Sequence, residues 1–185
     1  MTLLLRNARL IDPENGERSG TVVIEGRRIS QIIPDGNTLP NAMRSIDCGG
    51  KCLAPGIVDV GVKVCEPGER HKESFRTAGE AAAAGGVTTM VVRPDTEPAI
   101  DSPETLQFAA RRAADVSKVN VLPMAALTKD RAGKEMAEIG FLMDAGAVAF
   151  TDCDFVNRNN KIFGRCLSYA KMMDAVVIGH AQEPV

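Results

Sequence analysis

The sequence predicts an α/β protein in which a small β-rich domain, residues 1–55, precedes a strand–helix domain, residues 56–185. Hydrophobic residues make up 44% of the chain and are mostly aliphatic, with no Trp and one Tyr, which favours helices packed on a parallel sheet. Candidate strands rich in Val and Ile recur at intervals of about 30 residues, the length of a strand–helix–strand unit. Gly49-Gly50 and Pro55-Gly56 mark the boundary between the two parts.

The N-terminal part contains three short candidate strands: Leu3–Leu5, Thr21–Ile24 and Arg28–Ile33. Glu25-Gly26 lies between the second and the third, where glycine permits the positive φ of a tight hairpin turn. We therefore expect residues 1–55 to form a small β-sandwich-type domain.

The second part alternates five candidate strands with four candidate helices. The strands are Ile57–Val62, Val87–Val92, Val119–Met124, Ala147–Thr151 and Ala175–Gly179. The helices are Ser74–Ala84, Ser102–Val116, Lys134–Ala145 and Ile162–Met173. Gly85-Gly86 is a stop signal for the first helix, and Ser102-Pro103-Glu104 is a start signal for the second. The alternation is typical of the front half of an eight-unit barrel, or of an open doubly wound sheet.

A half barrel would leave open strand edges and an uncovered core. Because the chain stops at Val185, just after the fifth candidate strand, we expect one of two origins. It is either a fragment of a longer protein or a truncated product that depends on a partner.

Charge and cysteine content exclude several functional classes. The net charge is −2 and no long basic run is present, which argues against nucleic-acid binding. No apolar stretch reaches the roughly 18 residues needed to span a bilayer, and the N-terminus lacks a signal-peptide pattern. The five cysteines are odd in number and scattered, as is typical of a reducing cytosol. We expect a cytoplasmic protein with no membrane or nucleic-acid partner.

Four segments carry a resemblance to a known family. They are Pro55–Asp59, Glu66-Pro67-Gly68 with His71-Lys72-Glu73, Ala83–Thr89 and Ala149–Asp152. In this order and spacing they resemble dihydroorotases of the cyclic amidohydrolase superfamily. The Glu-Pro-Gly and His-Lys-Glu element separates these enzymes from dihydropyrimidinases, while allantoinases share the Glu-Pro-Gly and are the second choice. The resemblance implies the front half of a (β/α)8 amidohydrolase barrel, with residues 1–55 as one part of a composite small domain.

The resemblance also implies a reaction, the reversible hydrolysis of dihydroorotate to N-carbamoyl-aspartate by a zinc-activated water. In the family, a His-x-His pair at the end of the first barrel strand holds the zinc. Those positions fall on Gly61 and Lys63, and neither replaces a neutral imidazole. His180 and Asp152 are vestigial ligand candidates after the fifth and fourth strands. The later histidine and the catalytic carboxylate of the family would lie beyond Val185.

The substrate-binding positions of the family have also changed. The arginine that grips the substrate carboxylate falls on Cys65, which removes a bidentate charge-assisted contact. The substrate-binding amide falls on Asp95, within Arg93-Pro94-Asp95-Thr96, and an acid there would repel a dicarboxylate product. We therefore predict no catalytic residue and no cofactor in this chain, although the family uses zinc.

Two interpretations of Lys63 remain open. Its ammonium either replaces the positive charge of the metal and pairs with Asp152 or Asp95, or is simply solvated. Cys65 and Cys153 likewise either form a thiolate–imidazole metal site with His180 or are buried inert thiols.

Three further side chains are expected to be structural. Cys48 and Cys52 lack a second pair and are interpreted as structural. His71 is expected to be a surface or capping residue at the start of the first helix.

The function expected from the resemblance is that of a non-catalytic dihydroorotase homologue of pyrimidine biosynthesis. The resemblance further implies a structural complex with aspartate transcarbamoylase and a homo-oligomer. The alternative is an active zinc-dependent cyclic amidohydrolase with a site rebuilt from His180, Asp152 and either Cys65 or Cys153. A third hypothesis is a truncated remnant without independent function.

Overall fold

The computed structural model describes residues 2–182. These residues form two compact units, one ending at Pro55 and the other beginning at Gly56, and each unit has its own β-sheet. No helix in this part of the chain is long and apolar enough to cross a membrane.

The first unit is a five-stranded sheet. Its strands are β1 (Thr2–Asp12), β2 (Gly16–Glu25), β3 (Arg28–Pro34), β4 (Arg44–Asp47) and β5 (Cys52–Leu53). The order is β3-β2-β1-β4, with antiparallel pairing of β1, β2 and β3, while β4 and β5 both pair parallel to β1. Residues 2–55 thus form one sheet rather than the two sheets of a sandwich. The predicted hairpin is confirmed, because Glu25 pairs with Arg28 around Gly26, whose φ is 63°.

The second unit is built on a parallel sheet. Its strands are β6 (Ile57–Val62), β7 (Val87–Val92) and β8 (Asn120–Pro123), in the order β6-β7-β8. The ranges of β6 and β7 are those that the sequence predicts. Both strands consist largely of β-branched residues, which suit a pleated and partly buried surface.

Two predicted strands of this unit are wrong as continuous strands. Ala147–Thr151 and Ala175–Gly179 are reduced to isolated parallel bridges that join Ala125 to Phe150 and Phe150 to Val177. Phe150 N donates to Val176 O and Ile178 N donates to Phe150 O, both at 2.9 Å. This pair of hydrogen bonds continues the parallel direction but is too short to form a ladder.

Four helices accompany the parallel sheet: α1 (Phe75–Ala84), α2 (Pro103–Val116), α3 (Ile139–Asp144) and α4 (Asn160–Met172). Ser74 and Ser102 cap α1 and α2, each accepting a hydrogen bond from the backbone N–H three residues later. Gly85 is the C-cap of α1, which confirms the predicted stop. These caps fix where the connections from β6 and β7 enter their helices.

The predicted helix over Lys134–Ala145 is wrong over its first five residues, because α3 begins only at Ile139. Upstream, Thr128 forms an antiparallel bridge with Met136, and Gly133 has a φ of 66°. The extended backbone at Met136 is incompatible with a helix through this segment, and the left-handed Gly133 lies directly before it.

The main core of the second unit joins the helices to the sheet. Met90 and Val92 of β7 pack in one cluster with Phe75, Leu106 and Leu142 from the helices. Each fully buried large apolar side chain of this kind contributes about 1.5–3 kcal/mol. Between them along β7, Val91 belongs to a separate cluster with Met124 and Ala149. The alternation places these clusters on opposite faces of the sheet.

Candidate functional site

A pocket of about 210 Å³ lies where the carboxyl ends of β6 and β7 meet the segments after Phe150 and Val177. The residues that give it chemical character are Gly61, Arg93, Cys153, Asp154 and His180, and we call it the strand-end pocket. Gly61 and His180, predicted as a vacated and a retained ligand position, thus line the same pocket. Asp152 lines a neighbouring pocket that His180 also borders.

Gly61 is a β-bulge residue. Its neighbours Val60 and Val62 pair with the consecutive residues Val91 and Val92, which leaves Gly61 as the extra residue in β6. Its φ of 96° is favourable only for glycine. A Cβ built at this position would meet no heavy atom within 4 Å. The position predicted to be a vacated ligand site therefore has space for a side chain, but its backbone conformation disfavours one.

Lys63 pairs with Asp95. Lys63 Nζ lies 3.1 Å from Asp95 Oδ2, and the side chain of Asp95 is only 4% exposed. The side chain of Lys63 is 56% exposed, so its ammonium also contacts water. Of the two predicted partners, Asp95 is therefore the one that forms an ion pair with Lys63.

Arg93 is the second cation at this place. Its Nη2 atom donates to Asp95 Oδ2 at 3.0 Å and to Asp154 Oδ2 at 2.7 Å. Burial alone lowers the pKa of Arg93, but the hydrogen bond to Asp154 and the charge of Asp95 raise it above its usual range. The same hydrogen bond lowers the pKa of Asp154. The sequence interpretation treated Arg93 only as part of a motif, although an arginine directly after a buried strand signals a strand-end cation.

The carboxylate of Asp152 accepts hydrogen bonds from the loop that follows β8. Its Oδ1 atom accepts from Leu127 N at 3.1 Å and from Thr128 N at 2.9 Å, while Oδ2 accepts from Thr128 Oγ1 at 2.8 Å. Its side chain is buried. A carboxylate with three protein donors and little exposure positions the loop and offers little to a metal ion.

The three residues predicted for a thiolate–imidazole site, Cys65, Cys153 and His180, do not all line one pocket. Cys153 and His180 line the strand-end pocket, whereas Cys65 is not among its lining residues. Burial raises the pKa of the Cys153 thiol, the charge of Asp95 raises it further, and Arg93 partly opposes both. Cys153 is therefore a buried thiol rather than a thiolate ligand.

The residues present do not fit the zinc that the resemblance implies. Gly61 supplies no donor atom, Lys63 is paired with Asp95, and the oxygens of Asp152 accept protein hydrogen bonds. Over residues 2–182, no group of three or more His, Cys, Asp or Glu side chains could hold a metal ion. His180 is exposed, and its ring nitrogen lies 3.2 Å from Gln182 Oε1.

Glu66, the acid of the Glu-Pro-Gly element, has a structural function. Its Oε2 atom accepts from Phe75 N at 3.0 Å, at the start of α1, and Oε1 accepts from Arg112 Nε of α2 at 2.9 Å. The carboxylate is 5% exposed and compensates both the helix N-terminus and the guanidinium. His71 is exposed and lies before Ser74, which is the actual N-cap, so the capping alternative for His71 is wrong.

Solved structures share this fold. An L-hydantoinase from Arthrobacter aurescens superposes with a TM-score of 0.84 at 23% identity, covering 98% of this chain and 41% of the hydantoinase. A D-hydantoinase from Thermus sp. gives a TM-score of 0.75, also at 23% identity, covering 98% of this chain and 40% of its own. The chain therefore has the mixed α/β fold of the N-terminal part of this class of amidohydrolases.

The family follows from sequence relatives. The family model described as dihydro-orotase-like matches residues 50–184. A dihydroorotase from Syntrophus aciditrophicus is 35% identical over 184 residues, covering 99% of this chain and 43% of the relative. A dihydroorotase from Endomicrobium trichonymphae is 37% identical over 185 residues, covering 99% of this chain and 42% of the relative. The chain belongs to the dihydroorotase-like family and spans less than half the length of these relatives.

Proposed function

We propose that the second unit is the front half of a (β/α)8 barrel of the cyclic amidohydrolase kind. Support comes from the parallel order β6-β7-β8 and from the parallel bridges that continue it through Phe150 and Val177. Within residues 2–182, β6 pairs with β7 alone, and its Val58 and Val60 are 57% and 61% exposed. An edge strand with exposed apolar side chains is typical of a surface that further units would cover.

We propose that the protein is a non-catalytic dihydroorotase homologue that serves cytoplasmic pyrimidine biosynthesis. The observation that carries this proposal is the ion pair of Lys63 with Asp95, at 3.1 Å. Lys63 stands at the family's ligand position and Asp95 at its substrate-amide position. Each side chain is engaged in an ion pair with the other. The pair supports a site whose charged groups are engaged with each other rather than available for hydrolysis.

The proposed role is structural, in a complex with aspartate transcarbamoylase and in a homo-oligomer. Large apolar side chains are exposed on the helices, including Phe108 at 53%, Phe141 at 65% and Met172 at 81%. Exposed aromatic and Met side chains are enriched in protein–protein interfaces. They support an interaction surface on the helical side of the second unit.

Metal content and turnover test the catalytic part of the proposal. We expect the purified 185-residue chain to contain no stoichiometric zinc by elemental analysis. We also expect it to leave dihydroorotate unchanged under conditions in which the Syntrophus aciditrophicus relative, loaded with zinc, is assayed alongside. Zinc at one equivalent together with turnover that disappears in His180→Ala would overturn the non-catalytic proposal.

Co-expression tests the structural part. We expect the chain to co-elute in gel filtration with the aspartate transcarbamoylase of the same organism at micromolar concentration. Phe141→Asp should weaken the complex if the helical side forms the interface, whereas Asp35→Asn, in the first unit, should not. Separate elution of the two wild-type proteins would refute the partnership.

The alternative function, an active amidohydrolase with a rebuilt site, has one observation in its favour. Cys153, His180 and Arg93 line one pocket at the strand ends, where barrel enzymes hold their catalytic groups. The same zinc and turnover measurements decide between the two proposals.

A further inference from the structure

Four charged side chains form a neutral network at the ends of β6 and β7, which we call the strand-end network. It consists of the cations Lys63 and Arg93 and the carboxylates Asp95 and Asp154. The side chain of Asp95 is 4% exposed, so its charge needs a close positive partner. Removing one partner from a buried ion pair costs far more than the pair contributes against apolar replacements.

The two cations differ in how strongly the network depends on them. Arg93 contacts both carboxylates through Nη2 and is 21% exposed, whereas Lys63 contacts only Asp95 and is 56% exposed. Asp95 Oδ1 and Arg93 Nε are buried and have no hydrogen-bond partner within residues 2–182. If either residue were substituted, the other would therefore have no second hydrogen bond through this atom to replace the lost ion pair.

Arg93 also connects parts of the chain that are distant in sequence. It follows β7 directly, and its bond to Asp154 spans 61 residues to the segment after Phe150. Through Asp95 it is linked to Lys63, the residue after β6. A metal ion with ligands from several strand ends would join the same segments.

We infer that Arg93 is a built-in cross-linking cation that holds the strand ends together without a metal ion. This inference rests on the proposed non-catalytic function. Arg93 acts as a positioning residue, because it touches other side chains of the protein and no reacting group. A guanidinium suits this task, since it presents several donors in a fixed plane and stays charged at any physiological pH.

Thermal unfolding of the 185-residue chain tests the inference. We expect Arg93→Met to lower the midpoint by about 5–10 °C, and Lys63→Met by no more than about 2 °C. Arg158→Met is the matched control, since Arg158 is exposed and makes no ion pair within residues 2–182. EDTA should shift none of the midpoints. Equal shifts for Arg93→Met and Arg158→Met, or a large EDTA effect on the wild type, would overturn the inference.

A second pair of variants keeps the test decisive if Arg93→Met does not fold. Asp154→Asn removes only the exposed carboxylate, and Arg93→Lys keeps the charge but not the fixed fork. We expect each to lower the midpoint and the double variant to lower it by less than the sum, because both break the same bond. Additive shifts would contradict the cross-link.

Failure of this inference can be distinguished from failure of the proposed function. If Arg93→Met melts like the wild type while the wild type shows no turnover, only the cross-link is wrong. If the wild type hydrolyses dihydroorotate while Arg93→Met is destabilised, only the non-catalytic function is wrong.

Discussion

Lys63 Nζ and Asp95 Oδ2 lie 3.1 Å apart, and this pair joins two positions at which the dihydroorotase resemblance implies different roles. One position is that of a zinc-bound imidazole and the other that of a substrate-binding amide. In this structure the two side chains neutralise each other instead. Asp95 also has Arg93 as a partner, so the carboxylate is compensated from two sides.

Lys63→Met should reduce the free energy of unfolding by about 0.5–1 kcal/mol, because the lysine is largely solvated and Asp95 keeps its bond to Arg93. Urea denaturation measures the change. Lys118→Met is the matched control, since Lys118 makes a more exposed ion pair with Glu80 at 3.6 Å. A loss above about 3 kcal/mol would mean that Lys63, rather than Arg93, is the main partner of the buried carboxylate.

Asp152→Ala should cost about 2–4 kcal/mol, because it leaves the backbone N–H groups of Leu127 and Thr128 buried without an acceptor. Urea denaturation again gives the value, and Asp144→Ala, at an exposed position, serves as the control. If Asp152→Ala were neutral, its carboxylate would be free of a structural function and available as a ligand.

Glu66→Gln should cost about 1–3 kcal/mol. The amide can still accept from Phe75 N, but it loses the charge that compensates Arg112 and the N-terminus of α1. Glu80→Gln, on an exposed pair, is the control and should change stability by less than about 0.5 kcal/mol. Equal effects of the two substitutions would argue that Glu66 is not a structural centre of the second unit.

Alkylation should divide the cysteines by exposure. Burial raises the pKa of Cys153 and of Cys166, so less of each is thiolate at pH 8, and both are also shielded from the reagent. Cys52 is exposed and should be modified first by iodoacetamide, as followed by peptide mass spectrometry. Raising the pH should increase the rate at which Cys153 is labelled while the protein is still folded. Rapid labelling of Cys153 at pH 7 would indicate a reactive thiolate in the strand-end pocket and would favour the rebuilt enzyme site.

The sequence correctly predicted those strands and helix ends that depend mainly on their own residues. Residue type alone predicts the strands Ile57–Val62 and Val87–Val92 and the C-terminal stop of α1 at Gly85. The structure has all three where they were predicted. The segment 147–151 has a similar apolar character, yet it forms only isolated bridges. Pairing depends on what lies on both sides of a strand, and a single strand's composition does not contain that information.

The site was predictable in position but only partly in its contacts. The dihydroorotase resemblance implied that Gly61 and His180 belong to one site, and they do line one pocket. It left open which acid pairs with Lys63, and it missed Arg93 and Asp154 as a pair. The bond between Arg93 and Asp154 joins residues 61 apart, and such a contact is set by tertiary geometry rather than by local pattern.

The positive φ of Gly61 would oppose any substitution that places a metal ligand at this position. Any L-amino acid at this bulge would pay a conformational penalty of roughly 1–2 kcal/mol, and a lone imidazole would gain no metal in return. Gly61→His would therefore also require a change in the backbone of β6 at the bulge. If the chain is non-catalytic, as we propose, no single substitution in this strand is expected to create a metal site.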